Sequence, residues 1–255
     1  MKILYDYTPA SSEDTSVAIT HSSQDTIFTS SNLKTIKPVQ SWKSQVITES
    51  WIMYDFGSAK SLTGLFLNRF NFAAFTIQGN ATTATGDWDT PSYSSVITGL
   101  TKDEVYEENY MHYFKELVAF NYRYLRILIP TQTPLFEPTY FKIGNLLVGN
   151  FVEIWNPKAG YQIEIVPKEN IIEFDSGYSE SSKIGRTRRT FAINLDKIAK
   201  AEYDKLRLTR SPIVMYNDWE GDPNKCYLVK AVGNISRSYE FAQITSHSLS
   251  FVEIV

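Results

Sequence analysis

The stretch Ile184-Gly-Arg-Thr-Arg-Arg-Thr-Phe-Ala-Ile-Asn-Leu195, continued to Tyr216, decides the reading of the chain, because its apolar period changes part-way along. Phe191, Ile193 and Leu195 alternate with Thr190, Ala192 and Asn194, the period of two that gives a strand one buried face. From Leu195 the apolar positions Ala199, Tyr203 and Leu206 follow at helical spacing. Ile198 lies beside them, and Lys197, Lys200, Glu202, Asp204 and Lys205 are left for solvent. This spacing predicts one short helix over about 195–209, capped by Asn194 or Asp196 and stopped by Ser211-Pro212. Ile213-Val-Met-Tyr216 then reads as a second strand. A single short helix among strands predicts a mainly β protein.

Working outward, the 255 residues suit two domains of ordinary size. Sixteen tyrosines and fifteen phenylalanines with 21% charged residues fit packed β-sheet and exclude intrinsic disorder. The formal net charge is −3. Residues 1–150 carry 11 Lys+Arg against 14 Asp+Glu, and residues 151–255 carry 14 against 14, so neither half is a basic nucleic-acid module and no sequence-specific nucleic-acid binding is expected. A single cysteine, Cys226, offers no intrachain disulfide. No apolar run approaches the ~20 residues of a membrane helix, and Met1-Lys-Ile-Leu-Tyr-Asp6 is too polar for a signal peptide, so synthesis and folding in the cytoplasm are expected.

In the first half, Trp51-Ile-Met-Tyr-Asp-Phe-Gly57 reads as a strand, apolar at Trp51, Met53 and Phe56, ending in a turn at the glycine. Leu62–Phe70, Ala74–Gln78 and Tyr122–Ile129 are further strands. In the last of these, Tyr122, Tyr124, Arg126 and Leu128 take one face and Arg123, Leu125, Ile127 and Ile129 the other. Residues 79–95 form a polar loop with two aromatics, Trp88 and Tyr93. Tyr140–Gly149 closes the half, and a domain boundary is expected near Asn150. Beyond it, Phe151–Trp155, Tyr161–Val166, Ile171–Phe174, Cys226–Val232 and Ile244–Ile254 read as strands, and Asp175–Ser182 as a flexible loop.

Two resemblances follow from these residues. The order Ile19-Thr-His-Ser-Ser23, Trp42-Lys-Ser44, Trp51…Asp55-Phe-Gly57, Tyr124-Leu-Arg-Ile127 and Ile143-Gly…Gly149 resembles the discoidin (coagulation factor 5/8 C-terminal), galactose-binding-like jelly roll over most of residues 1–150. In that superfamily, loops at one end of the sandwich bind sugars, lipid or protein. The strand with Gly185-Arg-Thr-Arg-Arg-Thr-Phe191, the segment Ala201-Glu202-Tyr203-Asp204…Leu206, the Tyr227-Leu-Val strand and the apolar-acidic ending resemble the distal-tail and tail-tube-like proteins of tailed bacteriophages over residues 151–255. There such a module forms rings. The placement of a discoidin-like domain on the N-terminal side departs from that pattern.

Catalytic patterns are missing. His21, His112 and His247 are scattered, and with one cysteine they offer no metal-ligand spacing. Neither Gly-x-Ser-x-Gly nor a phosphate-binding glycine loop occurs. Asp218, Glu220 and Asp222 alternate as calcium ligands do, but Gly221 and Val229 sit where an EF-hand loop requires other residues, so a hairpin turn is the favoured reading. Asp103, Glu104, Glu107 and Glu108 read as the solvated face of a short helix. No enzyme, cofactor or metal site is expected.

Two groups remain as candidate contacts. Trp88 and Tyr93 could stack on a sugar ring or pack at a subunit contact. Arg186, Arg188 and Arg189 suit edge-strand protection or salt bridges between subunits, with DNA phosphates as the weaker alternative. The expected architecture is therefore an N-terminal jelly-roll β-sandwich over 1–150, then a β-sandwich or barrel with one short helix over 151–255. The tail resemblance implies a structural protein of the virion tail: a homo-oligomeric ring at the distal tail, tip or baseplate, with tube, hub and fibre proteins as partners. The alternative is a carbohydrate- or receptor-binding module gripping a host cell-surface glycan through Trp88.

Overall fold

The computed structural model describes residues 2–9, 16–34, 40–83, 87–101, 111–136, 139–153, 162–166, 169–173, 179–183, 188–199, 213–216, 222–241 and 244–253. In chain order the strands are β1 (Lys2–Thr8), β2 (Ala18–His21), β3 (Trp42–Lys43), β4 (Ser50–Phe70), β5 (Phe75–Asn80), β6 (Tyr93–Ile97), β7 (Met111–Ile129), β8 (Lys142–Ile143) and β9 (Asn145–Glu153). They continue as β10 (Gln162–Val166), β11 (Glu169–Glu173), β12 (Ser179–Lys183), β13 (Arg188–Ala199), β14 (Ile213–Tyr216), β15 (Cys226–Phe241) and β16 (Ile244–Glu253). One 3-10 turn, Ser30–Lys34, interrupts them. The architecture is mainly β, antiparallel and almost without helix, consistent with a β-sandwich. The chain divides into two compact units. The N-terminal unit holds Asp6–Phe151 with Tyr216–Cys226, and the C-terminal unit holds Val152–Met215 and Tyr227–Val255 with Met1–Tyr5.

The N-terminal unit is organised by two long strands that each serve two pairings. The first part of β4 lies between β2 and the second half of β7, with Met53 opposite both Thr20 and Arg126. Its last part lies between β9 and the first half of β7, with Leu65 opposite both Val148 and Lys115. Register breaks between Asp55 and Lys60, and again between Leu62 and Gly64, let the pair bend from one set of partners to the next. Gly57 (φ 72°) sits in the first break, where its N–H donates to Asp55 Oδ1 at 2.7 Å. So the strand bends at Gly57 and continues to Phe70, where the sequence suggested an ending. The buried residues of this stretch are Ile52, Tyr54 and Phe56, and Trp51 and Met53 face outward, half-buried.

Inside lie Trp42, Ile52, Tyr54, Ile77, Leu125 and Ile127 with a cluster of phenylalanines. Phe72 is central to it, its ring centroid 4.9 Å from Phe70, 5.8 Å from Phe75 and 6.0 Å from Phe141. His112 on β7 is also buried, its ring parallel to that of Phe66. Burial, reinforced by the Arg69 charge, pushes the His112 pKa down to about 3. The unfolded chain titrates near ~6.5 and therefore binds the extra proton between those two values. The stability this imidazole leaves intact is complete above about pH 6.5 and is lost as pH falls towards 3. Urea unfolding at about pH 7 and about pH 4.5 is expected to show His112→Leu losing roughly 2 kcal/mol less than the wild type on acidification. Equal losses in both would show that this imidazole does not report the acid sensitivity.

In the C-terminal unit β13 pairs with β10 on one side and β16 on the other, and β16 pairs in turn with β15. Phe191 stands opposite Phe251, and both are buried. β11 and β12 form a separate antiparallel pair, Glu169 opposite Lys183 and Glu173 opposite Ser179. Two expectations change here. Residues 195–199, the start of the predicted helix, belong to β13: the ladder to β16 resumes at Ile198 opposite Thr245 after a break following Leu195. That break shifts the apolar residues out of period two and imitates a helical repeat, and residues 200–212 lie outside the described set. Ser179–Ser182, read as flexible loop, is strand, since backbone pairing needs no apolar side chain. At Arg188 and Arg189 the described pairing of β13 is with β10, since the ladder to β16 begins at Thr190.

Candidate functional site

The core-facing residues of β4, β7 and β5 alternate with a second set that points the other way. Pairing places these in rows across the three strands: Trp51, Leu128 and Thr76; then Met53, Arg126 and Gln78; then Asp55, Tyr124 and Asn80. An outward row carrying buried amides is unusual, because amides lose water on burial and need partners. Gln78 and Asn80 are buried because residues 87–92 of the β5–β6 connection fold over them. Asn80 Nδ2 donates to the Asp87 carbonyl at 2.7 Å, and the Ser92 N–H donates to Asn80 Oδ1 at 2.8 Å. Thr82 Oγ1 donates to the Asp87 carboxylate, and the Tyr122 hydroxyl donates to the Ser92 carbonyl at 3.2 Å.

This loop delivers Trp88 onto Arg126. The guanidinium carbon lies 4.3 Å from the indole centroid, within cation–π range. Arg126 Nε donates to Gln78 Oε1 at 2.7 Å and Nη2 to the Trp88 carbonyl at 3.3 Å. Ring and guanidinium are both half-buried. Arg126 covers one indole face, so the ring's remaining exposure lies at its other face and edge. Burial pushes the Arg126 pKa down from its ordinary value, with Glu49 and Asp89 pulling it up. Three residues before it, Arg123 is spent differently. Its Nε and Nη2 donate to the two oxygens of Asp55 at 2.8 and 2.9 Å, a two-point ion pair that holds the Asp55 carboxyl below the usual carboxylate range.

Of the residues singled out from sequence, Trp88 is thus half-exposed over a fixed polar bed. Tyr93, on β6, packs inward: its ring lies 5.3 Å from Phe120 and 6.4 Å from Tyr122 and rests against the core. Phe120 and Tyr122 cross over Gly79, where an added Cβ would stand 2.6 Å from Phe120 Cε2, so this aromatic group needs glycine beneath it. Arg189 is buried against Glu253 and under the Tyr227 ring, while Arg186 and the side chain of Arg188 lie outside the described residues. Asp222 closes a turn by accepting from the Asn224 N–H at 2.9 Å; Asp218 and Glu220 lie outside the described residues, as do Asp103, Glu104, Glu107 and Glu108.

A second built feature, not singled out from the sequence, joins the β2–β4 and β7–β8 connections. Lys43 Nζ lies 4.1 Å from both the Phe28 and Tyr140 ring centroids and donates to the Tyr140 hydroxyl at 2.9 Å. Asp25 braces it by accepting from the Ile27 and Phe28 N–H groups at 2.8 and 3.1 Å. Here both rings already face a cation of the chain itself. Among the described residues no three His, Cys, Asp or Glu side chains gather to hold a metal, and no helix is long and apolar enough to cross a membrane.

No protein-family profile matches this sequence, and no curated protein does. Solved structures similar to it include chitosan-binding module 1 of a chitosanase/glucanase from Paenibacillus sp. IK-5, with 17% identity over 52% of this chain and 94% of that one at a TM-score of 0.41. The lectin domain of lectinolysin, complexed with Lewis B antigen, is similar at 10% identity over 52% of this chain and 92% of that one, with a TM-score of 0.40. A Streptococcus pneumoniae fucose-binding module is similar at 14% identity, 51% and 91% coverage, and a TM-score of 0.38.

Proposed function

We propose that the N-terminal unit is a carbohydrate-binding module and that the chain acts by binding, without catalysis. The observation that carries this reading is Trp88: an indole held at 4.3 Å by the Arg126 guanidinium, over buried Gln78 and Asn80, and still half-exposed. A pyranose offers a C–H face that packs on an indole and hydroxyls that bond to planar polar side chains, and binding sites combine an apolar surface with a few fixed polar groups in this way. Fixing the ring beforehand lowers the ordering cost of binding. The bonds from Asn80 to Asp87 and Ser92 do that for the loop.

The tail-ring reading, which leads from the sequence, has no such support among the described residues, because Arg189 is spent inside its own unit. A glycan array probed with wild type and Trp88→Ala separates the two. Specific binding by the wild type, weakened roughly 30-fold or more in the variant, is expected, since an anchoring aromatic of this kind contributes about 2 kcal/mol or more. Wild-type protein that binds no glycan, but assembles into rings, would overturn the proposal in favour of the tail role.

A further inference from the structure

We infer that the ligand of the Trp88–Arg126 site is an acidic glycan, whose carboxylate pairs with Arg126; this rests on the carbohydrate-binding reading of the same site. Arginines in half-buried positions are ordinarily paired with a carboxylate, because a desolvated charge without one is costly. Arg123 follows that rule through Asp55. Arg126 does not: its partners are a neutral amide oxygen, a backbone carbonyl and an indole face, and it forms no ion pair with any described carboxylate. A guanidinium has five N–H donors. Gln78 and Trp88 take two of them, which leaves donors on Nη1 and Nη2 for a further partner. Those two nitrogens form the fork that matches a planar carboxylate with two parallel hydrogen bonds.

The row that holds Arg126 shows that a charge-neutralising partner could have been built in and was not. Gln78 stands directly opposite it on β5, at the distance where a glutamate would form an ion pair. An amide there positions the guanidinium and leaves its charge for a ligand. Glu49 and Asp89 influence Arg126 from a distance without contacting it, so they limit the affinity for an anion and do not occupy the fork. A uronate or sialate sugar at the exposed edge of the indole would thus meet the ring with its C–H groups and Arg126 with its carboxylate, two contacts that a neutral sugar cannot make together.

The test uses the full chain on an array of carboxylated, sulfated and neutral glycans, followed by calorimetry with a carboxylated hit and its carboxyl-reduced counterpart. Binding confined to carboxylated glycans, about tenfold or more tighter than to the reduced form, is expected, with affinity falling as salt rises. Arg126→Gln should lose that preference, but it also removes the support under Trp88. Gln78→Glu is the sharper variant, since it neutralises Arg126 internally and leaves the guanidinium over the indole. It should abolish the preference while thermal unfolding stays at or above the wild-type temperature. Binding to neutral or sulfated glycans alone, or a preference unchanged in Gln78→Glu, overturns the acidic-ligand inference and leaves carbohydrate binding standing. Binding to no glycan overturns both.

Discussion

Phe72→Ala is expected to destabilise the N-terminal unit by about 3–5 kcal/mol, the range that a lost core aromatic costs a fold. Phe72 is fully buried, with rings of Phe70, Phe75 and Phe141 around it. The cost of such a truncation depends on how far the surroundings can collapse into the space, and here the backbone on both sides is tied down. Asn71 donates from Nδ2 to the Phe136 and Tyr140 carbonyls, each at 2.9 Å, and accepts from the Lys142 N–H at 2.8 Å. Gln132 Oε1 accepts from the Ala73 and Ala74 N–H groups at 2.9 and 3.0 Å. Four connected residues are therefore held, and the cavity stays open. Urea unfolding followed by tryptophan fluorescence, with buried Trp42 as reporter, should show the loss, and Phe72→Leu should recover more than half of it. A change below about 1 kcal/mol in Phe72→Ala would mean that the cluster is not a packed core.

The strand pattern of the N-terminal unit could be read from the sequence where alternation is clean. Leu125, Ile127 and Ile129 are buried, and Arg126 and Leu128 on the other face reach the surface in part, as the period of two requires, with buried Tyr124 and part-exposed Arg123 departing from it. The bends could not be read. Gly57 looked like a chain reversal because glycine marks turns, yet it serves a register break inside a strand of twenty-one residues. Whether a glycine ends a strand or bends it depends on whether partners await the chain beyond it, and here those are β9 and the first half of β7. The same limit explains residues 195–199. A break in the ladder and the start of a helix both disturb alternation, and only the pairing with Thr245 and Ile244 decides between them.

The candidate site was half legible. Two aromatics in a long polar loop, Trp88 and Tyr93, stand out in the sequence as surfaces for a sugar ring or a subunit contact. The holder of Trp88, Arg126, lies 38 residues further along, where the sequence marks it only as a strand residue. A signal was present: an arginine in the middle of an apolar strand, on the face opposite Leu125 and Ile127, must either lie in water or find a partner on a neighbouring strand. Which of these holds depends on register, and register joins Gln78 to Arg126 through contacts that composition does not encode. Tyr93 carried the same loop signal as Trp88 but continues into β6, so its ring falls on the packed side.

Glu253→Ala is the second substitution with a large expected effect, and it bears on the arginine cluster. Arg189 and Glu253 are 4% and 2% exposed; the Arg189 N–H donates to Glu253 Oε2 at 3.2 Å, and Nη1 lies 3.9 Å from Oε1. The guanidinium also sits 4.8 Å from the Tyr227 ring centroid, and Tyr227 packs on Phe191. Removing the carboxylate takes a counter-charge from a buried cation, a loss that typically costs about 3–5 kcal/mol. Replacing both partners, Arg189→Met with Glu253→Leu, removes the charge problem along with the pair and should restore most of that stability. Had Arg189 served a subunit contact, Arg189→Met alone would weaken assembly and leave the folded subunit intact. Urea unfolding of the single and double variants, with sedimentation at matched concentrations, distinguishes these. A single variant as stable as the wild type but altered in oligomeric state would return Arg189 to an interface role. A destabilised single variant rescued by the double substitution assigns Arg189 to the interior of its own unit, where its charge is held by Glu253 and its stem by the Tyr227 ring.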